Sequence, residues 1–268
     1  KTDAVVEGIH FTSDADPRQI GHKALGRALS DIAAMAGTPR WATITLGLPD
    51  GFDAERVESI YDGMADLAKC YGVSLVGGET VANPERFFIG VSLVGEVARD
   101  KCILRSGATV GDGVWVTGEL GGSIAGHHLE FTPRLAEARW LAAHHQPSAM
   151  IDLSDGFAGD LGHLLAEANA GAELLESALP IRREARLRAR ESEAAKPPLL
   201  AALTDGEDYE LCFTLGQGRA VMLLDQFKQE FPGTPLSCVG KIVDRPGLKI
   251  RQKSGIREIS TRGYVHFQ

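Results

Sequence analysis

Carboxylate side chains recur along this sequence in short motifs, each beside an apolar strand or helix. Isolated carboxylates are costly to leave unpaired in such surroundings. Carboxylates accompanied by hydroxyls and glycines suit the binding of Mg²⁺ ions around polyphosphate. The motifs therefore predict an enzyme that handles phosphate. They are Thr2-Asp3, Leu29-Ser30-Asp31, Gly77-Gly78-Glu79-Thr80, Asp152-Leu153-Ser154-Asp155-Gly156, Asp160 and Gly206-Glu207-Asp208-Tyr209-Glu210.

The sharpest of these motifs joins a predicted strand at 150–153 to a helix that begins near Gly156. The start of that helix presents free backbone N–H groups and the positive end of the helix dipole to an anion. Helix capping by Ser154 or Asp155 would explain one of these two side chains. It would not explain Asp152, which lies in the apolar strand. On these residues alone, capping and the binding of metal or phosphate both stay open.

Two other motifs also have ordinary alternatives. The glycine pair at 77–78 would let the backbone approach a ligand closely beside Glu79, but a plain tight turn would use the same pair. Asp31 lies on an apolar helix face four residues after Arg27, a spacing that also allows a surface ion pair. Each motif is therefore ambiguous by itself.

The elements that carry the motifs alternate between strand and helix. In the first part of the chain, helices are predicted after Asp16-Pro17 and at 53–71, and strands at 4–11, 42–48, 73–76 and 88–97. This order predicts a mixed α/β lobe. After a glycine-rich turn at 107–113, strands are predicted at 114–117, 150–153, 210–215, 237–243 and 248–251. We therefore expect two domains, at 1–99 and 100–268.

The composition narrows the class of protein. The 268 residues are 44% hydrophobic, enough to bury a sizeable core in one or two domains. The net charge of -8 argues against a surface that binds nucleic acid or anionic lipid. No apolar stretch approaches the roughly 20 residues that span a bilayer. The four cysteines are scattered, as in a reduced cytosolic protein, so we expect a cytoplasmic protein with no nucleic-acid or membrane partner.

Taken together in their order, the motifs resemble those of the thiamine-monophosphate kinases. That family's superfamily also contains aminoimidazole ribonucleotide synthetase, selenophosphate synthetase and the hydrogenase-maturation dehydratase. The similarity covers nearly the whole chain, and its order and spacing are specific. The matching segments are Thr-Asp-x-x-Val-Glu-Gly-x-His-Phe at 2–11, Lys-Ala-Leu at 23–25, Leu-Ser-Asp-Ile-Ala-Ala-Met at 29–35, Arg-Ser-Gly-Ala at 105–108, Gly-Asp at 111–112, Asp-Leu-Ser-Asp-Gly at 152–156, Gly-Glu-Asp-Tyr-Glu-Leu at 206–211 and Gly-Tyr-x-His-Phe at 263–267.

The resemblance implies a two-lobed α/β (α+β) fold of the aminoimidazole ribonucleotide synthetase type and a kinase activity. The N-terminal α/β lobe would contribute to the sheet or barrel of a symmetric homodimer, and the C-terminal α/β lobe would close over the nucleotide. ATP would phosphorylate thiamine monophosphate to thiamine diphosphate. Because donor and acceptor are both anionic, several Mg²⁺ ions would offset their repulsion and align them.

The resemblance also implies roles for individual residues. Mg²⁺ ligands, direct or through water, would be Thr2, Asp3, Asp31, Glu79, Asp152 and Asp155, and the aspartates among them would be catalytic. Contacts with ATP would come from Arg105, Ser154, Gly78 and Tyr61. His10 and Glu207 match substrate contacts, and Tyr264 matches an aromatic position able to stack on a thiamine ring. For His10 and Tyr264 an ordinary core position is the alternative. Asp160 also matches the family pattern, without a role.

Two departures from the family pattern concern the metal site. A glycine-rich segment with consecutive aspartates normally precedes Thr2-Asp3, so we expect an N-terminal segment ahead of Lys1. Glu79 stands where the kinases have aspartate, and its extra methylene moves the carboxylate by about 1.5 Å, enough to make a direct Mg²⁺ ligand water-mediated. Gly-Gly-Glu-Thr is found in the aminoimidazole ribonucleotide synthetase branch. The alternatives are therefore an ATP-dependent ligase of purine synthesis and a non-catalytic nucleotide-binding relative.

Two other features have simpler explanations. The segment from Arg182 to Lys196 interleaves arginine and glutamate at helical spacing, which predicts a solvated helix face rather than a phosphate clamp. The doublets at 127–128 and 144–145 are pairs of adjacent histidines, which point in different directions on a helix and form no chelate by themselves. We predict that all four histidines lie at the surface.

Overall fold

The first part of the chain forms one sheet with two long helices against it. In the computed structural model, which describes residues 1–192 and 194–260, the elements are β1 (Thr2–Val6), α1 (Pro17–Ala34), β2 (Thr38–Leu48), α2 (Ala54–Tyr71), β3 (Ser74–Ala82) and β4 (Phe88–Glu96). The sheet has the strand order β1-β4-β2-β3. The strands β1 and β2 run antiparallel to β4, and β3 runs parallel to β2. This is a mixed α/β layer, as predicted.

The second part of the chain forms a larger sheet. Its elements are β5 (Asp112–Thr117), α3 (His127–Glu130), α4 (Leu135–His144), β6 (Ala149–Asp152), α5 (Phe157–Ala168), β7 (Gly171–Leu175), α6 (Arg183–Glu191), α7 (Pro198–Thr204), β8 (Leu211–Gly216), α8 (Ala220–Glu230), β9 (Leu236–Val243), β10 (Gly247–Gln252) and β11 (Gly255–Ile259). The strand order is β11-β10-β7-β9-β5-β8-β6. The strands β7 and β11 were not predicted from the sequence.

The helix α1 holds the two sheets together. Asp16 caps its first turn by accepting a hydrogen bond from the backbone N–H of Arg18 at 2.7 Å, and Pro17 occupies the first helical position. Two glycines let α1 and α2 approach closely, since a Cβ on Gly21 or Gly63 would lie 1.9 Å from a backbone carbonyl oxygen of the other helix. On its other sides α1 contacts β1, β4 and β6. One hydrophobic core therefore runs from the first sheet into the second.

Two segments differ from the sequence analysis in a way that matters for the site. The glycine pair at 77–78 continues β3 in extended conformation, so the tight-turn alternative for this motif is wrong. The first strand ends at Val6 rather than at residue 11, because the chain turns at Gly8, whose φ is +77°. That turn brings His10 back against Val6, the last residue of β1.

The connection between the sheets runs from Glu96 to Asp112 and contains the predicted domain boundary near residue 100. Because the core crosses that boundary, the division into domains at 1–99 and 100–268 stays a prediction. Within the described residues, no helix has both the length and the apolar character of a membrane span.

Candidate active site

The junction between β6 and α5 is shaped by backbone contacts and one buried acid. The N-cap of α5 is Gly156, and no side chain caps the helix, so the capping alternative for Ser154 and Asp155 is wrong. Instead, the backbone N–H of Asp155 donates to Oδ2 of Asp160 at 3.0 Å. Burial raises the pKa of Asp160 to about 8. Asp160, to which the sequence assigned no role, therefore fixes the loop between β6 and α5. The Asp155 carboxylate does not cap α5 and stays available for other contacts.

Two acidic motifs that are far apart in sequence meet where α1 contacts β6. Asp152 is only 5% exposed, and the hydroxyl of Ser30 on α1 donates to its Oδ2 at 2.7 Å. Burial raises the pKa of Asp152, and the neighbouring charge of Asp31 raises it further. Burial also raises the pKa of Asp31, against the opposing effect of the Lys1 ammonium 3.0 Å from Oδ1. The two carboxylates, one buried and one half-buried, repel each other.

The donor set of this acidic pair fits Mg²⁺. Asp31, Asp152 and Ser30 offer only oxygen atoms, which is the ligand type that Mg²⁺ prefers. Among residues 1–192 and 194–260, no group of three His, Cys, Asp or Glu side chains converges to enclose a metal ion. Mg²⁺ is commonly bound by one or two carboxylates and completed by water and substrate phosphates. An open pair of carboxylates matches that pattern, and a cation would relieve their repulsion.

Asp3 lies on the inner face of the first sheet and is already paired. Its Oδ1 is 3.2 Å from Nη2 of Arg27, whose Nη1 donates to the carbonyl of Ala4 at 2.9 Å. The Arg27 side chain is largely buried, and its Nε has no hydrogen-bond partner in the described part of the chain. The predicted metal ligand Asp3 is therefore neutralised by a cation of the protein itself.

Thr2 and Glu79 face away from Asp3. Cross-strand partners share a face of the sheet, and Asp3 stands in one row with the buried side chains of Val91 and Ile44 and with Gly78. Neighbouring residues along a strand alternate between faces, so Thr2 and Glu79 belong to the opposite, helix-free face. Gly78 is about 14 Å from Asp3, three strand spacings of about 4.8 Å. The structure thus does not bring these predicted ligands to the acidic pair.

A cavity of about 440 Å³ lies between the two parts of the chain, beside the β6–α5 junction. His10 is on its wall, and its Nδ1 accepts a hydrogen bond from the backbone N–H of Val6 at 3.0 Å. Burial lowers the pKa of His10 to about 4, so the ring is neutral at pH 7 and its Nε2–H is a donor. The volume of the cavity is typical of a site for a small organic molecule. Functional side chains on the wall are His10, Arg27, Ser154, Asp155, Glu207 and Tyr209.

The segment from Gly206 to Glu210 forms the opposite wall in a strained conformation. Glu207 and Tyr209 have φ values of +65° and +51°, which side chains other than glycine adopt at a cost of about 1–3 kcal/mol. The Ser123 hydroxyl donates to the carbonyl of Glu207 at 2.6 Å, and the Tyr209 ring stacks on Phe131 with centroids 3.9 Å apart. Strain that persists under such restraint is characteristic of functional sites.

The other two acids of this segment have structural roles. Asp208 is buried and accepts two 3.0 Å contacts from the backbone N–H of Gly121. Glu210 is buried against Arg134, whose Nη2 donates to its Oε1 at 2.7 Å. Of the acids in the motif, only Glu207 lines the cavity.

The remaining predicted contacts lie elsewhere. Tyr61 on α2 packs against the core and does not line the cavity. Arg105 is exposed in the connection between the sheets, where its charge acts on Asp31. Tyr264 lies outside the described residues. Its part in substrate stacking stays a prediction.

Three further features of the structure were not predicted from the sequence. His128 is 5% exposed and His145 is fully buried, so their predicted surface positions are wrong. Within the predicted segment, α6 (Arg183–Glu191) is a solvated helix in which Ala185 is the buried residue, yet Arg188 and Lys196 also line the cavity. Lys23, on α1, is fully buried and contacts Glu207.

Comparison with known proteins decides the family. Residues 1–97 match the family model described as AIR synthase related protein, N-terminal domain. The thiamine-monophosphate kinase of Rhodopirellula baltica is 37% identical over 99% of this chain and 82% of that protein. The corresponding kinase of Escherichia coli strain K12 is 35% identical over 99% of this chain and 85% of that protein. The chain belongs to the thiamine-monophosphate kinase family.

Solved structures of the family share this fold. The structure of AaThiL complexed with AMPPCP and TMP matches with a TM-score of 0.84 and 29% identity, over 100% of this chain and 86% of that one. The thiamine monophosphate kinase of Aquifex aeolicus matches with a TM-score of 0.81 and 29% identity, over 97% of this chain and 88% of that one. The predicted two-lobed α/β fold and the predicted class of enzyme, a kinase, are confirmed.

Proposed function

We propose that this chain transfers the γ-phosphoryl group of ATP to thiamine monophosphate, forming thiamine diphosphate and ADP. The observation that carries the proposal is the meeting of Asp31 with the buried Asp152, at the end of the strand that leads into the β6–α5 junction on the wall of the cavity. His10 and Glu207 line the same cavity. The acidic pair suits phosphates with their metal ions, and the cavity suits an organic acceptor. Membership of the thiamine-monophosphate kinase family supports both assignments.

We assign Asp31 and Asp152 to Mg²⁺ binding, with Asp3 and Asp155 as the other catalytic acids. Bound Mg²⁺ would neutralise the phosphates of donor and acceptor, which otherwise repel. Asp155 lines the cavity from the β6–α5 junction, where it can reach both substrates. Arg27 adds a guanidinium to the same wall, a group well suited to phosphate oxygens. The chain thus aligns two anionic substrates rather than attacking either one.

We assign His10 and Glu207 to the thiamine group. The neutral His10 ring offers a donor at Nε2, and the Glu207 carboxylate offers an acceptor and a negative charge. Thiamine carries a permanently cationic thiazolium ring and an aminopyrimidine with N–H donors. A carboxylate facing the cavity complements both. Ser154 and Arg105 remain our assignments for ATP, and Gly78, Tyr61 and Tyr264 stay predictions.

We further infer a homodimer that uses the helix-free face of the first sheet. That face exposes Trp41 at 53% and its cross-strand partner Val94 at 58%. Exposed apolar patches of this kind mark interfaces. Thr2 and Glu79 lie on the same face, so any part they take in a metal site would be shared with the partner subunit. A cytoplasmic location is also inferred, since the four cysteines are free.

An acceptor assay separates this function from that of the purine-synthesis ligase. The chain is incubated with ATP and Mg²⁺ plus either thiamine monophosphate or formylglycinamidine ribonucleotide, and ADP formation is followed by a coupled enzyme assay. We expect ADP formation with thiamine monophosphate only. A reaction without acceptor is the control for ATP hydrolysis. ADP formation that depends on the ribonucleotide would instead assign the chain to the ligase, and tight ATP binding without either product would make it a non-catalytic relative.

A further inference from the structure

Lys23 is a fully buried cation that the functions described above do not use. It lies on α1, and its side chain is 0% exposed. Its Nζ is 2.7 Å from Oε1 of Glu207, donates to the carbonyl oxygen of His10, and is 2.8 Å from Nδ1 of His128. All three of the ammonium's N–H donors therefore have partners.

The partners of Lys23 come from opposite walls of the cavity. His10 belongs to the turn after β1, whereas Glu207 belongs to the strained segment before β8, far along the chain. The two proposed substrate contacts are thus joined through one ammonium group. His128, from the short helix α3, closes the third side.

Stability alone does not explain a lysine at this position. Burying the Lys23 ammonium beside the half-buried Glu207 carboxylate carries a desolvation cost. The attraction within such pairs often fails to exceed this cost, so that apolar replacements are frequently neutral or stabilising. The neighbours Ala24 and Leu25 on α1 are apolar and equally buried. What the lysine does supply is a fixed direction for the Glu207 carboxylate, whose backbone is held at a φ of +65°.

At neutral pH, His128 is uncharged and Lys23 is mostly protonated. Burial lowers the pKa of His128 to about 4, so its ring is neutral and its Nδ1 accepts a hydrogen bond from Lys23. Burial also lowers the pKa of Lys23, to about 8, a value that still leaves the amine mostly protonated at pH 7. The hydroxyl of Tyr209 lies 3.3 Å from Oε1 of Glu207 as a second donor.

We propose that Lys23 is a positioning residue for the acceptor, whose ammonium fixes the Glu207 carboxylate and the His10 turn so that the cavity binds thiamine monophosphate. This inference rests on the proposed function, because it takes Glu207 and His10 as contacts of that substrate. It assigns the effect of Lys23 to the affinity for the acceptor and not to the affinity for ATP, since the contacts of its ammonium are with His10, His128 and Glu207 and not with Asp31 or Asp152.

The test is a double-mutant cycle with Lys23→Met and Glu207→Gln. Michaelis constants for thiamine monophosphate and for ATP are measured on the full chain for the wild type, both single variants and the double variant. We expect Lys23→Met to raise KM for thiamine monophosphate about tenfold or more, as for a lost charge-assisted hydrogen bond, while KM for ATP changes less than about threefold. Lys69→Met, on the exposed side of α2, is the matched control.

The double variant separates positioning from simple packing. If Lys23 acts through Glu207, the double variant should have a KM for thiamine monophosphate within about threefold of that of Glu207→Gln alone. It also lacks the unpaired, half-buried carboxylate that could destabilise Lys23→Met, so the comparison with Glu207→Gln holds even if the Lys23→Met variant does not fold.

Three results would overturn the inference. In the first, the KM of the double variant for thiamine monophosphate rises by the product of the two single increases. In the second, Lys23→Met leaves the KM for the acceptor within about threefold of the wild type. In the third, Lys23→Met raises the KM for the acceptor and the KM for ATP equally. A wild-type chain that forms no thiamine diphosphate would overturn the proposed function, and this inference with it. An active wild type with an unaffected Lys23→Met variant overturns the inference alone.

Discussion

Asp152→Asn is expected to lower kcat for thiamine diphosphate formation by about a thousandfold, equivalent to about 4 kcal/mol of transition-state stabilisation. The substitution removes the buried member of the two carboxylates that we assign to Mg²⁺. The remaining acid, Asp31, also faces the Lys1 ammonium and holds a cation less strongly by itself. Because the metal-bound phosphates carry most of the charge in the transfer, the loss falls on the rate of the reaction.

The same variant should not lose stability. Burial and the charge of Asp31 both disfavour the ionised form of Asp152 in the metal-free protein, so replacing it with a neutral side chain of the same shape removes a cost. The amide oxygen of asparagine can still accept the hydrogen bond from Ser30. We therefore expect the Tm of the metal-free variant, measured by calorimetry with a chelator, to equal or exceed that of the wild type.

Asp225→Asn is the control for this prediction, since Asp225 is an exposed acid on α8. It should change neither kcat nor Tm. A Tm for Asp152→Asn that falls together with kcat would mean that Asp152 serves the fold, and a kcat close to that of the wild type would remove it from the metal site.

Asp155→Asn is expected to lower kcat by about a hundredfold or more, equivalent to about 3 kcal/mol, with a change in Tm of less than about 2 °C. The reason is structural: α5 is capped at Gly156, and the loop is held through the backbone N–H of Asp155 and the carboxyl of Asp160. The Asp155 carboxylate has no part in either contact. It faces the cavity, where the two substrates must meet.

Glu167→Gln removes a charge from the exposed end of the same helix and is the matched control for Asp155→Asn. Both variants are compared with the wild type by coupled assay and by thermal denaturation. Equal losses of rate and of stability in Asp155→Asn would restore the helix-capping explanation of this residue.

The site residue that the sequence singles out most directly is one whose local setting is anomalous. Asp152 stands in an apolar strand, and such a position has few explanations other than a ligand. Alternation along a strand could also have separated Thr2 from Asp3, because adjacent strand residues face opposite sides of a sheet. The family resemblance assigned Thr2 and Asp3 to the same metal site, whereas the sheet places their side chains on opposite faces.

The residues that sequence failed to predict are defined by distant parts of the chain. Lys23 is buried because α1 lies between the two sheets and faces both His128 and Glu207. No local pattern shows that a lysine beside alanine and leucine will be enclosed in this way. The glycine pair at 77–78 is similar: local propensity favours a turn, but pairing with β2 over eight residue pairs keeps the segment extended.

Phosphorus NMR of the wild-type chain with ATP, Mg²⁺ and thiamine monophosphate follows the transferred group itself. Direct transfer between the two bound phosphates predicts that ADP and thiamine diphosphate appear in equal amounts and that no inorganic phosphate is formed. Inorganic phosphate accumulating in step with ADP, while thiamine monophosphate stays unchanged, would show that the site does not carry out this transfer.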